Sequence, residues 1–165
     1  MYAYTLGFLR RGDELLMLNR QKKPWKGAWN GVGGKIDASE TPLDCIIREI
    51  AEETGIRVAV EQVADKGVLT WTNFEAIGTG LHLFLIDLPP DFPYETPIKT
   101  REGILDWKSI SWICDLENQG VARNIPYFLP TLLHETSRQK YHCEFRGGLL
   151  ISVTKELDFR EPSEQ

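Results

Sequence analysis

Apolar and polar positions alternate in short blocks near both ends of the chain, and a helical period replaces that alternation in two places between them. Ala3 to Arg10 is rich in Tyr, Thr, Leu and Phe and predicts a strand, Arg11-Gly12-Asp13 predicts a turn, and Glu14 to Arg20 predicts the returning strand of a hairpin. Gln21 to Lys35 interleaves Pro24, Gly27, Gly31, Gly33 and Gly34 with Trp25 and Trp29, a loop by composition. Strands are expected over Ile56–Val60, Gly67–Thr72 and Leu81–Leu88, followed by a turn-rich connection from Pro89 to Pro97. Ile104 to Ile113 reads as strand with some helix, Pro126 to Thr136 as a second helix, and Tyr141–Phe145 with Leu149–Val153 as a closing hairpin around Gly147-Gly148. Strands, helix, strands, helix, strands is the order of an α+β or mixed-sheet α/β sandwich. A single domain is expected over 1–158, with 159–165 as a frayed tail.

The clearest helix runs from Thr41 to Thr54. Thr41 is a suitable N-cap, Pro42 suits the first helical position, and Asp44 puts a carboxylate at the positive helix end. Gly55 stands where a glycine ends a helix. At about 100° per residue, Glu49, Glu52 and Glu53 lie within about 100° of one another. Leu43, Ile46, Ile47 and Ile50 form another stripe, roughly 140° away. The helix thus buries one face and gathers carboxylates on another, with Arg48 as the nearby cation. A solvated acidic face is the plain reading of such a cluster. A divalent-cation site is the chemical one, because hard ions such as Mg²⁺ take oxygen ligands from a few carboxylates and from substrate phosphates. The preceding Gly33-Gly34-Lys35 favours the second reading, since glycine lets backbone approach a ligand closely and offers a carbonyl oxygen.

Composition changes the picture little. The 165 residues are 42% hydrophobic and 26% charged, which excludes disordered and fibrous classes. A net charge of −5 disfavours binding to nucleic-acid backbone or to an anionic membrane, and no apolar run of about 18 residues predicts a membrane span. Residues Met1–Arg11 do not have the make-up of a signal peptide, and Cys45, Cys114 and Cys143 are widely spaced with no CxxC pattern. Reduced thiols and a cytoplasmic location are therefore expected, in a monomer or homodimer. The charge is also unevenly placed. Glu40 to Glu53 holds five acids against one base, which leaves the rest of the chain close to neutral.

Read as one pattern, Gly34, Glu40, Arg48-Glu49-Ile50, Glu52-Glu53 and Gly55-Ile56 span 23 positions at fixed spacings. This pattern resembles the Nudix box. The resemblance implies the Nudix fold, a mixed sheet flanked by helices, and a metal-dependent hydrolase of nucleoside diphosphates linked to another moiety. It implies Mg²⁺, or alternatively Mn²⁺, held by Glu49, Glu53 and the Gly34 carbonyl, with Glu52 as a further ligand or as the base that activates water. Arg48 would orient the neighbouring carboxylates, Glu40 would hold the loop, and Gly55 would close the helix.

The surroundings of the box resemble the MutT-type oxidised-purine nucleoside triphosphatases. The shared features are Trp29-Asn30-Gly31-Val32-Gly33-Gly34-Lys35, Tyr4-Thr5-Leu6, His82, Glu102 ahead of Trp107, and Phe128-Leu129-Pro130. By that resemblance Asn30 bonds the purine edge, Thr5, Arg20, Lys35 and Asn124 line the substrate site, Phe128 stacks on the base, and Glu102 is a further metal ligand or base. The family's paired aspartates are replaced here by Asn124-Ile125, and its nearby tryptophan by Ala122. The expected reaction is hydrolysis of an oxidised purine nucleoside triphosphate, such as 8-oxo-dGTP, to monophosphate and pyrophosphate, a nucleotide-pool sanitation step in the service of DNA repair. The alternatives are a Nudix pyrophosphatase for ADP-ribose or a nucleotide sugar, and a non-catalytic nucleotide-sensing Nudix domain.

Other residues carry two readings each. Arg20, Lys22, Lys23 and Lys26 around Trp25 form either a solvated loop or a basic flank with Trp25 in a base-side wall. His82, in an apolar strand, reads as a core histidine, and Cys45 as a silent small residue. Trp71, Trp107 and Trp112 read as core or pocket wall. His142 and Cys143 alternate along a strand and point to opposite faces, which excludes a shared metal site.

Overall fold

A computed structural model describes residues 2–76 and 78–158. The expected frayed tail, 159–165, lies outside the described residues. Nine strands form one sheet among the described residues. They are β1 (Tyr4–Arg11), β2 (Glu14–Arg20), β3 (Trp29–Asn30), β4 (Val63–Thr72), β5 (Gly80–Asp87), β6 (Ile98–Lys99), β7 (Gly103–Ser109), β8 (Gln139–Arg146) and β9 (Leu149–Leu157). The order is β6-β7-β2-β1-β5-β4-β8-β9, with β3 beside β2. The pairs β1/β5 and β4/β8 are parallel and the rest antiparallel, so the sheet is mixed as expected. Three helices accompany it: α1 (Pro42–Thr54), the short α2 (Ile110–Ile113) and α3 (Ile125–His134).

The period-two alternation of the strands sorts their side chains into two cores. Phe8, Leu15, Met17, Leu83 and Leu85 face one way and pack with Ile125, Phe128, Leu129 and Leu132 of α3. Their neighbours Leu9, Leu16, Leu18, Phe84 and Ile86 face the other way and pack with Ile46 and Ile50 of α1. The α1 stripe read from the sequence is therefore the stripe that docks. It docks closely, since a Cβ at Gly7 of β1 would stand 2.8 Å from the Ile46 side chain.

Several expectations are corrected. Ile56–Val60 forms no strand. The chain there leads into a single 3₁₀ turn, Val60–Gln62, because both edges of the adjacent β4 are taken by β5 and β8. Its alternating Ile-x-Val-x-Val pattern matches a strand, yet Val60 is 55% exposed. The strand β4 starts four residues earlier than expected and β9 runs on to Leu157. Trp29–Asn30, placed in a loop by composition, pairs with β2. Trp112 is 40% exposed, with Lys108 above its ring, whereas Trp107 belongs to the core on the α1 side.

Phe128 is the correction with functional weight. Its side chain is fully buried on α3, with its ring 6.2 Å from that of Phe8 and 5.5 Å from that of Tyr141. It fills the core and has no open face on which a base could stack. Phe128→Ala is accordingly expected to lower unfolding free energy by about 3–5 kcal/mol, measured by urea titration. A variant with native stability and a raised KM would restore the stacking role instead.

Candidate functional site

The site begins with the capping of α1. The Thr41 hydroxyl accepts the Asp44 amide at 3.1 Å and the Asp44 carboxylate accepts the Thr41 amide at 3.2 Å, a reciprocal capping box. At the other end Gly55 adopts φ 78° and donates to the Ala51 carbonyl at 3.0 Å. With both ends fixed and Ile46 and Ile50 in the core, Glu49 and Glu53 are aimed into a cavity of about 530 Å³.

Opposite the helix, residues 31–36 lie against β1. The Gly7 amide donates to the Val32 carbonyl, the Val32 amide returns a bond to Gly7, the Thr5 amide donates to Gly34 at 2.8 Å, and the Ile36 amide donates to Ala3. This contact requires glycine. A Cβ at Gly33 would lie 2.1 Å from the Thr5 carbonyl oxygen, and one at Gly34 would lie 2.5 Å from the Glu49 carboxyl. Gly34 therefore sits directly beneath a helix carboxylate. Its carbonyl, the expected cation ligand, accepts the Thr5 amide at 2.8 Å and, more loosely, the Thr5 hydroxyl at 3.4 Å and the Cys45 thiol at 3.8 Å, so an ion there would displace these longer contacts.

Arg48 ties loop to helix. Its guanidinium donates to both Glu40 carboxylate oxygens, at 2.6 and 2.8 Å, to Glu49 at 3.0 Å, to Glu52 at 3.2 Å and to the Lys35 carbonyl at 3.1 Å. Arg48 beside it, helped by the Asp37 amide, holds the Glu40 carboxyl down to about 2. The orienting role expected for Arg48 and the loop-holding role expected for Glu40 thus have a geometric basis.

Glu49, Glu53 and Glu102 share one part of the cavity. Burial, then repulsion from Glu102 and Glu49, pushes the Glu53 carboxyl up to about 7. Burial also raises Glu49, against the pull of Arg48. Glu102 arrives from the turn before β7, where its amide donates to the Thr100 hydroxyl and its carbonyl accepts the Gln21 amide. Among the described residues no three His, Cys, Asp or Glu side chains already converge as a finished ion cage. The donor chemistry nevertheless fits a hard cation. Burial and the nearby Glu102 charge raise the proton affinity of Glu49 and Glu53, and a divalent ion relieves that repulsion. Holding an ion requires these side chains to turn toward one another.

Arg48, Glu40 and Gly55 act from outside the cavity lining, and three further expected site residues also stand outside it. The Glu52 side chain is 58% exposed and engages Arg48, the Lys35 side chain is exposed and only its carbonyl is used, and Phe128 lies in the core. Thr5, Arg20, Asn30 and Asn124 do line it. Asn30 accepts the Gly31 amide through Oδ1 at 2.8 Å, which leaves its NH₂ group for the cavity. Asn124 directs its amide nitrogen at Cys143 Sγ, 3.7 Å away. Arg20 spends its Nε on the Pro24 carbonyl. Cys45 is buried against the Thr5 hydroxyl, and burial pushes its thiol up to about 11, in keeping with a chemically silent residue.

Another part of the cavity lining is aromatic, with Glu75 beside Phe74 in it. Trp25, which adopts φ 63°, is half-buried against Phe74 at 5.3 Å and Phe145 at 6.1 Å, and Phe74 stacks on Phe145 at 4.5 Å. Trp71 closes on Phe74 edge-on. Trp25 is thus wall rather than solvated loop, with Lys23 beside it in the lining. Phe74 and Phe145 were not expected. They come from a loop and from a hairpin far apart in sequence, and the parallel register of β4 with β8, Trp71 opposite Cys143, brings them together. No helix among the described residues is long and apolar enough to cross a membrane.

The NUDIX domain model matches residues 2–118. The Bacillus subtilis protein called uncharacterized Nudix hydrolase YvcI is 31% identical over 122 residues, covering 69% of this chain and 68% of that protein. The mouse oxidized purine nucleoside triphosphate hydrolase is 28% identical over 114 residues, 67% of each chain. An ADP-ribose pyrophosphatase from Methanocaldococcus jannaschii is 34% identical over only 50 residues, 30% of each chain. Among solved structures, a MutT protein from Bacillus halodurans superposes with a TM-score of 0.74 at 23% identity, covering 94% of this chain and 98% of that one, a likeness of fold.

Two pH effects follow from these carboxyls. Glu53 is raised from its ordinary 4.5 to about 7, so the folded ion-free protein holds a proton that the unfolded chain releases, and stability falls as pH rises through that window. Added Mg²⁺ is therefore expected to raise the melting temperature more at about pH 8 than at about pH 5.5. An equal rise at both would contradict the assignment. Glu40 is the opposite case. Its stabilisation is present above 4.5 and disappears as pH falls toward about 2. Wild type and Glu40→Gln should differ most in urea midpoint near neutrality and converge in strong acid.

Proposed function

This chain belongs to the Nudix family, and on that premise we propose that it is a divalent-cation-dependent diphosphohydrolase of nucleoside triphosphates, with an oxidised purine as the preferred base. The observation that carries the reading is the mixed lining of the cavity. Carboxylates of Glu49, Glu53 and Glu102 cluster in one part, the rings of Trp25, Phe74 and Phe145 in another, and the amides of Asn30 and Asn124 lie in the same lining. A polyphosphate chain with its cation and a heterocyclic base need these two kinds of surface in one cavity.

Each side chain then has a task. Glu49 and Glu53 from α1 and Glu102 from the opposite turn hold the cation, Mg²⁺ or Mn²⁺, with the Gly34 carbonyl as a further oxygen donor. The bound ion neutralises phosphate oxygens and acidifies a water molecule. Of the carboxylates in the cavity, Glu53 and Glu102 can take the proton from the attacking water, because Glu52 is turned outward onto Arg48. Arg48 keeps Glu49 in line while Glu40 anchors Arg48. Trp25, Phe74 and Phe145 stack on the base, and the amides select its edge by offering a donor and an acceptor at once. The replacement of a carboxylate pair by Asn124-Ile125 removes those two carboxylates from that selection. Water attack on a phosphorus of the triphosphate yields monophosphate and pyrophosphate.

A second reading, hydrolysis of a nucleoside diphosphate derivative such as ADP-ribose, draws on the 50-residue likeness to an ADP-ribose pyrophosphatase. A nucleotide panel separates the two. With Mg²⁺, oxidised purine triphosphates are expected to turn over with the highest kcat/KM, and Glu53→Gln is expected to lose about 100-fold or more in kcat. Preference for ADP-ribose would favour the second reading, equal rates on dGTP and 8-oxo-dGTP would remove the oxidised-base preference, and nucleotide binding without turnover would replace both readings with a sensing domain.

A further inference from the structure

Residues 89–97 cross the α1-side core as a strap between β5 and β6, and the strap is tied down at Phe92, Tyr94 and Thr96, the last through bonds of its hydroxyl with Asp106 and the Trp107 amide. The Tyr94 carbonyl accepts Trp107 Nε1 at 2.9 Å and Arg11 Nη1 at 3.3 Å, and Arg11 also donates to the Phe92 carbonyl at 3.0 Å. The Arg11 guanidinium lies 3.9 Å from the centre of the Trp107 ring, and the Tyr94 ring meets Trp107 edge-on at 6.3 Å. The Tyr94 backbone is thereby held to β7. Its side chain reaches the other way, and its hydroxyl donates to the Thr54 carbonyl at 2.6 Å. That carbonyl belongs to the last turn of α1, where no helical amide remains to bond it. The residue before Thr54 is Glu53, and the strand that holds Tyr94 begins one residue after Glu102.

We infer that Tyr94 is a positioning residue that sets the last turn of α1 against β7, and so fixes the spacing between Glu53 and Glu102. The inference rests on the reading of these carboxylates as a cation site. It concerns a residue outside the cavity lining and outside the Nudix-box pattern. The physical argument is one of stiffness. Glu53 stands in a terminal turn, the part of a helix that frays most readily, and among the described residues the Tyr94 hydroxyl supplies the acceptor's one side-chain bond from outside the helix. The Thr54 hydroxyl adds internal bonds to Ile50 and from Ile56, which shape the turn but do not attach it to the sheet.

Tyr94→Phe keeps the ring against Trp107 and removes only the hydroxyl. In nucleotide-free protein, Mn²⁺ affinity read by electron paramagnetic resonance is expected to weaken about 3- to 10-fold, the loss of one hydrogen bond's ordering. With saturating metal, kcat should fall by a similar factor while the substrate KM holds. Trp107→Phe, which removes the indole bond to the Tyr94 carbonyl but leaves the Thr96 ties to β7, should move Mn²⁺ affinity in the same direction by a smaller factor. Wild-type Mn²⁺ binding in Tyr94→Phe, even with a lowered melting temperature, would overturn the positioning role and leave an ordinary structural strap. Glu53→Gln separates the two levels. If it loses Mn²⁺ while Tyr94→Phe does not, the inference alone fails, and if it binds Mn²⁺ as wild type does, the cation reading and the inference fail together.

Discussion

The fit of residues 31–36 against β1 is the contact on which the rest depends. The second half of β1 pairs with β2, and the first half would be left with open backbone groups on that flank. The glycine loop fills the gap with four backbone hydrogen bonds. Side chains at 33 and 34 would collide with the Thr5 carbonyl and the Glu49 carboxyl, so the loop can lie there only as bare backbone. From that contact follows the position of Gly34 under α1, the reach of Arg48 to the Lys35 carbonyl, and the walls that face Thr5 and Asn30.

The same arrangement concentrates charge. Glu49 is largely enclosed, Glu53 is half-buried, and Glu102 joins them from another element, so repulsion is built in. Arg48 offsets it from one side only, since its donors are divided among Glu40, Glu49 and Glu52. The acidic surplus of the sequence is thus mostly a local matter. Clamps hold α1 in spite of it: a capping box at one end, a left-handed glycine at the other, and two isoleucines driven into the core between them.

Much of this was legible in the sequence where local chemistry and long-range packing agree. Thr41, Pro42, Asp44 and Gly55 carry their own capping signals, and the Ile46–Ile50 stripe docks where its periodicity says it must. The helix acids that enter the cavity, Glu49 and Glu53, were legible for the same reason. Where the environment decides, the pattern misled. Ile56–Val60 alternates like a strand but finds both edges of the adjacent β4 taken, and Phe128 has an aromatic's shape for stacking but is spent in the core under α3. Glu52 shares the acidic face of its neighbours yet turns to solvent, because 60° of helix rotation is enough to miss the cavity. Phe74 and Phe145 could not be read at all, since only the parallel pairing of β4 with β8 makes them neighbours.

The two parts of the cavity differ in what anchors them. The carboxylates stand on a capped helix and a turn locked to the sheet, whereas much of the aromatic wall stands on connecting segments, with Trp25 and Asn73 both in the left-handed region that non-glycine residues seldom adopt. A change at Trp25 or Phe74 does not pass through α1, and a change at Glu53 does not pass through the wall. Under the proposed function, base preference and hydrolytic chemistry can therefore drift separately. A lineage carrying this scaffold could exchange one nucleobase for another through loop substitutions alone, while the bond it breaks stays the same.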